Sequence, residues 1–152
     1  MKNILFIFAA FLLIYAGCKS DDSNPTTPTT GEVEMASVSY DSVYSIFAGS
    51  SVTQTRNFGS SALNFTDRDS TRLSFSYKGS SNGNDTLFYI TDASNARLYT
   101  LVDATPTSSY RTVNVTVPSI KVNALFYYTI RARTTGSNLP YMVIKDFKMY
   151  KR

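Results

Sequence analysis

Apolar residues fall along this chain in two ways. Over residues 4–15 they run without a break, ILFIFAAFLLIY. From Val33 onward they alternate with polar residues in short runs. A period of two marks a β-strand with one face buried and the other wet. The clearest run is 125–133, LFYYTIRAR. It places Phe126, Tyr128, Ile130 and Ala132 on one face and Leu125, Tyr127, Thr129, Arg131 and Arg133 on the other. In 111–117, RTVNVTV, Val113, Val115 and Val117 point inward and Thr112, Asn114 and Thr116 outward. In 72–78, RLSFSYK, Leu73, Phe75 and Tyr77 face the core and Ser74 and Ser76 face out. Further strands are expected at 33–40, 43–47, 62–66, 86–91, 97–102 and 141–150. In the last of these Ile144 and Phe147 are three apart, which calls for a bulge near Lys145.

No stretch of a dozen residues carries a 3.6-residue period, so no helix is expected in this region. The runs are separated by turn-forming sequences: 67–70 (DRDS), 82–85 (NGND), 92–95 (DASN) and 135–138 (TGSN). Tyr (11) and Phe (10) are abundant, which favours strands over helices. Eight or nine short strands with one polar face each predict an all-β domain over 33–152, built as an antiparallel β-sandwich.

The apolar run at 4–15 has a different meaning. It follows Lys2, is too short to span a bilayer at roughly 20 residues, and ends in the small residues Ala16 and Gly17. Residues 1–17 therefore read as a secretory signal peptide. Cys18, the chain's one cysteine, comes next. Tyr15-Ala16-Gly17-Cys18 resembles the lipobox of bacterial lipoproteins, with Tyr15 where the family usually has Leu. The resemblance implies cleavage before Cys18 and acylation, palmitate included, of its sulfur and new amino terminus. Lys19, Ser20, Asp21 and Asp22 resemble the acidic signal that carries lipoproteins of the Bacteroidota to the outer face of the outer membrane. Residues 23–31, SNPTTPTTG, hold no apolar side chain and two prolines, so they cannot form a core and stay extended. Residues 18–32 thus read as a lipidated cysteine and a flexible linker. At about 3 Å per residue it reaches roughly 40 Å from a membrane.

From residue 63 to the closing YMVIKDFKMY, the aromatic strands resemble the jelly-roll, galactose-binding type of domain found in carbohydrate-binding modules. An immunoglobulin-like sandwich is the alternative. It lacks the Cys…Trp…Cys core of true immunoglobulin domains, for the chain has no tryptophan.

Charge and chemistry narrow the function classes. There is no histidine, which removes the commonest general base and transition-metal ligand. Glu32 and Glu34 are the only glutamates, and most aspartates sit in expected turns. The reading is therefore not an enzyme. A net charge of +4, scattered along the chain, argues against nucleic acid as partner. One basic and aromatic stripe is expected where Tyr127, Arg131 and Arg133 share a strand face. If chain direction reverses at each strand, loops 79–85, 103–110 and 134–140 meet at one end. That end gathers Asn82, Asn84, Asp85, Tyr110, Asn138 and Tyr141. Amides and a carboxylate bond hydroxyls, and a Tyr ring stacks on a sugar's apolar face. Asn82, Asn84 and Asp85 are also the candidate oxygen ligands for a calcium ion, although no cofactor is expected. The partner classes are a glycan, bound by a non-catalytic module, or a surface protein, bound by a structural or adhesive domain.

Overall fold

The structure is a computed structural model that describes residues 31–80 and 83–152, with backbone alone for 83–86. The expected signal peptide, Cys18, the stretch from Lys19 to Asp22, and Asn82 lie outside the described residues. Ten strands follow in order: β1 (Val33–Tyr44), β2 (Ser51–Asn57), β3 (Leu63–Asn64), β4 (Ser70–Gly79), β5 (Gly83–Asp92), β6 (Arg97–Asp103), β7 (Arg111–Pro118), β8 (Asn123–Ala124), β9 (Phe126–Thr134) and β10 (Tyr141–Lys151). No helix occurs among the described residues.

Eight of the strands form two antiparallel sheets. The back sheet has the order β1-β10-β4-β7 and the front sheet β2-β9-β5-β6, while β3 and β8 pair separately. The pairing is nested: β1 with β10, β2 with β9, β4 with β7 and β5 with β6. This is the winding of a jelly roll.

The alternation explains the layers. Leu73, Phe75 and Tyr77 of β4 and Phe126, Tyr128, Ile130 and Ala132 of β9 all lie buried between the sheets, as their spacing requires. Phe75, Phe147 and Phe88 form a triangle across the sheets, with ring centroids 5.0 to 5.8 Å apart. Burying each such side chain contributes about 1.5–3 kcal/mol. The valines of β7 pack against this core from the sheet margin and stay half-exposed.

The strand boundaries differ from expectation in four places. Residues 43–47 are not a strand of their own. β1 continues through Val43 and Tyr44, and 45–50 is the bend after it. β2 follows at 51–57, where no strand was expected. Its sequence SVTQTRN has one apolar residue, because an edge strand needs little else. The strand expected at 62–66 shrinks to Leu63–Asn64, paired with the unexpected β8. Gly83, Asn84 and Asp85, expected in a turn, begin β5, and pairing of Asp85 with Arg133 overrides their turn preference. The expected bulge is present. The β10–β4 register shifts between Lys145 and Lys148, and Asp146 adopts φ 55°.

Both open margins of the sandwich are closed by the same three residue types. At the β1/β2 margin, Asp41 Oδ2 accepts from the Tyr128 hydroxyl at 2.9 Å and pairs with Arg56 at 2.6 Å. At the β6/β7 margin, Asp103 Oδ2 accepts from the Tyr77 hydroxyl at 2.9 Å and from Arg111 at 2.7 Å. Burial raises the pKa of both tyrosines first, and the adjoining carboxylate adds to it.

The root of β1 is fixed as well. Glu32, expected as the last residue of the linker, holds Arg72 through two hydrogen bonds of 2.9 and 2.7 Å. The Arg72 guanidinium lies 4.2 Å from the centre of the Tyr150 ring.

Candidate functional site

The front sheet carries a groove on its outer face. Because Tyr128, Phe88 and Ile90 turn inward, their neighbours Tyr127, Thr129, Tyr89 and Thr91 turn outward. Register aligns three of the outward positions across the sheet: Thr55 of β2 faces Thr129 of β9, which faces Tyr89 of β5. Tyr127 lies opposite Thr91. Thr129 is the floor, 2% exposed, and its hydroxyl shares a 2.8 Å hydrogen bond with that of Thr55. Tyr89 forms a wall braced by the Arg97 guanidinium, 4.4 Å from its ring centre.

The turn at 92–96 closes one end. Asp92 Oδ1 accepts from the Ser94 amide at 2.9 Å, the Ser94 hydroxyl at 2.7 Å and the Ala96 amide at 2.8 Å. Asn95 takes the left-handed conformation, φ 66°, that asparagine tolerates. The groove holds about 290 Å³ and is lined by Thr55, Tyr89, Thr91, Asp92, Ala93, Asn95, Tyr127 and Thr129. That volume is near the lower end for small-molecule sites. The lining offers two phenol rings, three threonine hydroxyls, an amide and one carboxylate. These suit a neutral, hydroxyl-rich ligand with an apolar face. Asp92 is the one carboxylate in the lining among the described residues. Among the described residues, no cluster of His, Cys, Asp or Glu could hold a metal ion.

The loops expected to meet do meet, at the opposite end of the strands from the 92–96 turn. The Gly79 amide donates to Thr107 O at 2.9 Å, and the Ser80 hydroxyl to Leu139 O at 2.9 Å. The bend at 45–50 joins them, the Gly49 amide donating to Asn138 O at 3.2 Å. The candidate side chains are not all gathered there. Asn138 is tied into its loop by its carbonyl, which also accepts from the Thr134 hydroxyl at 2.7 Å. Tyr141 stays at this end, paired with Tyr44 in the back sheet and donating its amide to the Ser80 hydroxyl at 2.7 Å. Tyr110 lies against the outer side of the same sheet, between Lys78 and Lys145. Asn84 and Asp85 are placed by their backbone at the start of β5.

Alternation alone places Tyr127 and Thr129 on the outward face without joining them to Tyr89 and Thr55. The order of strands makes that junction, and no single run reveals it. Asp92 and Asn95 read as turn formers, which they are, while also lining the groove.

No family model matches the chain, and no curated protein matches it. Solved structures do resemble it. The N-terminal cellulose-binding domain of β-1,4-glucanase C from Cellulomonas fimi aligns over 80% of this chain and 89% of its own, at 13% identity and a TM-score of 0.52. An exo-β-agarase aligns over 87% of this chain at 8% identity and a TM-score of 0.50. This chain spans only 24% of that enzyme. The likeness is one of fold: an antiparallel β-sandwich shared with a carbohydrate-binding module.

Proposed function

We propose that this chain is a non-catalytic carbohydrate-binding module, held by lipid on Cys18 at the outer membrane and facing the cell exterior. The observation that carries the binding reading is the front-sheet groove, where Tyr89 and Tyr127 flank the Thr129–Thr55 hydroxyl pair. Aromatic faces supply contact area with few rotatable bonds, and a few placed polar groups orient the ligand. A fold in common with a cellulose-binding domain supports the reading. The address rests on residues 1–22 as a sequence pattern.

A glycan array probed with the full-length chain in non-ionic detergent tests it. Neutral oligosaccharides are expected to bind, and Tyr127→Ala or Tyr89→Ala to weaken them at least tenfold, or about 1.4 kcal/mol. Binding indifferent to both substitutions would sink the groove reading.

A second reading, a structural or adhesive domain that binds a surface protein, is favoured by the loop end. Tyr44, Ile46, Phe47 and Leu139 are 53–73% exposed there. Exposed apolar groups gathered in one place mark interaction surfaces. A blank glycan array, with self-association or capture of one defined surface protein abolished by Phe47→Ser, would establish that reading instead.

A further inference from the structure

The outer side of the back sheet holds a second arrangement, on the face away from the groove. Tyr110 is 40% exposed, and its ring lies under two cations: Lys78 Nζ is 4.8 Å and Lys145 Nζ 4.5 Å from the ring centre. The two lysines belong to neighbouring strands, because Val143 pairs with Lys78 and Ser76 with Lys145. They are therefore diagonal neighbours on one face, with backbones about 7–8 Å apart. Tyr40 continues the row. It pairs directly with Lys145 across the β1–β10 ladder, and 60% of it is exposed. The row therefore reads tyrosine, lysine, tyrosine, lysine across β1, β10 and β4.

Charge at this place is poorly balanced. Among the described residues Lys145 has only its chain neighbour Asp146, 3.7 Å away and itself half-exposed. Among the described residues Lys78 has no ion pair. The ring of Tyr110 attracts both ammonium groups but cannot neutralise them. An oxyanion between the two would pair with both through charge-assisted hydrogen bonds. A flat apolar surface, Tyr40, lies one strand further on, where a ring attached to that oxyanion would rest.

We infer that this row is a binding site for an acidic polysaccharide, one that presents a carboxylate or sulfate to Lys78 and Lys145 and a sugar ring to Tyr40. Phospholipid headgroups would offer the same charge. The exposed ring of Tyr40 favours the polymer, because a sugar ring attached to the anionic group would stack on it, whereas a headgroup phosphate would leave it bare. The inference is independent of the groove, which lies on the other sheet and uses different residues.

The test is affinity electrophoresis of the full-length chain in non-ionic detergent. Gels contain polygalacturonate, dextran sulfate or neutral dextran. Retardation is expected to be stronger with at least one polyanion than with dextran, and the excess to be suppressed by 0.5 M salt, where screening is strong. Lys78→Ala with Lys145→Ala is expected to weaken the polyanion at least tenfold, and Tyr40→Ala several-fold. These side chains are partly or largely exposed, and an unchanged melting temperature confirms that each variant is folded. Retardation unchanged in the double lysine variant, or no stronger with either polyanion than with dextran, overturns the site. Loss with the lysines but not with Tyr40→Ala overturns the sugar assignment. Stronger lysine-dependent binding to phosphatidylglycerol vesicles than to either polyanion overturns the polymer as ligand. Failure of the neutral-glycan array leaves all these outcomes readable.

Discussion

The Tyr128 hydroxyl on β9 donates to the Asp41 carboxylate on β1 at 2.9 Å, and so joins the front sheet to the back. Tyr77 and Asp103 repeat the bond at 2.9 Å at the other margin, with the sheets exchanged. In both places the second carboxylate oxygen takes a nearby backbone amide, from Ser42 at 2.8 Å and from Thr105 at 2.9 Å. An arginine from the facing edge strand completes each set. Removing one hydroxyl leaves a carboxylate short of a donor. Tyr128→Phe and Tyr77→Phe are each expected to lower stability by about 1.5–3 kcal/mol, the range for bonds to charged groups. The margins lie on opposite sides of the core, so the double variant should lose the sum. Urea denaturation measures all three, and strong non-additivity would show that the margins are coupled.

The same sets define a pH window. Burial, then the carboxylate, raises the pKa of Tyr77 and Tyr128 above the usual value near 10. Folding then favours their protonated forms, so their contribution is complete below pH 10 and is lost as pH rises through the raised values. Burial of Asp103 opposes ionisation, but the Thr105 amide, the Tyr77 hydroxyl and Arg111 together outweigh it and hold its pKa low. Its contribution is complete above pH 4 and fades as pH falls through the lowered value. The melting temperature is expected to be flat from about pH 5 to 9 and to fall on both sides. Tyr77→Phe should flatten part of the alkaline fall, and a profile identical to the parent's would contradict the assignment.

Phe126 is fully buried and packs on Phe65 with centroids 5.1 Å apart. Phe126→Ala is expected to cost about 3–5 kcal/mol. A loss under 1 kcal/mol would mean that β9 is not central to the core.

At the β10 bulge, Asp146 holds φ 55°, a conformation glycine adopts without strain. Asp146→Gly is expected to keep or raise stability by up to about 1 kcal/mol, and Asp146→Val to lower it by 1–2. The exposed contact with Lys145 that the glycine removes is worth little. Equal stability of the two variants in urea would remove strain as the explanation.

The proposed anchor has its own test. Cys18→Ser is expected to leave the protein uncleaved and free of lipid, and out of the detergent phase once the leader is removed by other means. Asp21→Ala with Asp22→Ala should keep the lipid but protect the domain from protease added to whole cells. Normal cleavage and detergent partitioning of the serine variant would end the lipoprotein reading.

The sandwich was legible because its central strands alternate so regularly. Leu73, Phe75 and Tyr77 could face only one way, and so could Phe126, Tyr128 and Ile130. Edge strands gave no such signal: β2 has Val52 alone, and its place is set by seven paired positions on β9. The groove was half legible. Thr129 and Tyr127 stood on the outward face, but Tyr89 and Thr55 become their neighbours only through strand order. Tyr110 belongs to one of the loops that meet, yet its ring is drawn aside by two lysines whose positions depend on the β4–β10 register.

The way β1 enters the fold also has a mechanical side. Glu32 is clasped by Arg72, and from Val33 to Tyr44 the strand is laddered along β10. Tension arriving through the residues ahead of Glu32 and resisted by a held ligand runs along the strand, not across it. The inter-strand bonds then share the load as a glued lap joint does, and none can be peeled ahead of the rest. A pull from Tyr44 directed away from the sheet would open the same ladder one rung at a time. A domain held through the residues ahead of Glu32, as the proposed anchor would hold it, is thus loaded at the end where its seam best withstands drag.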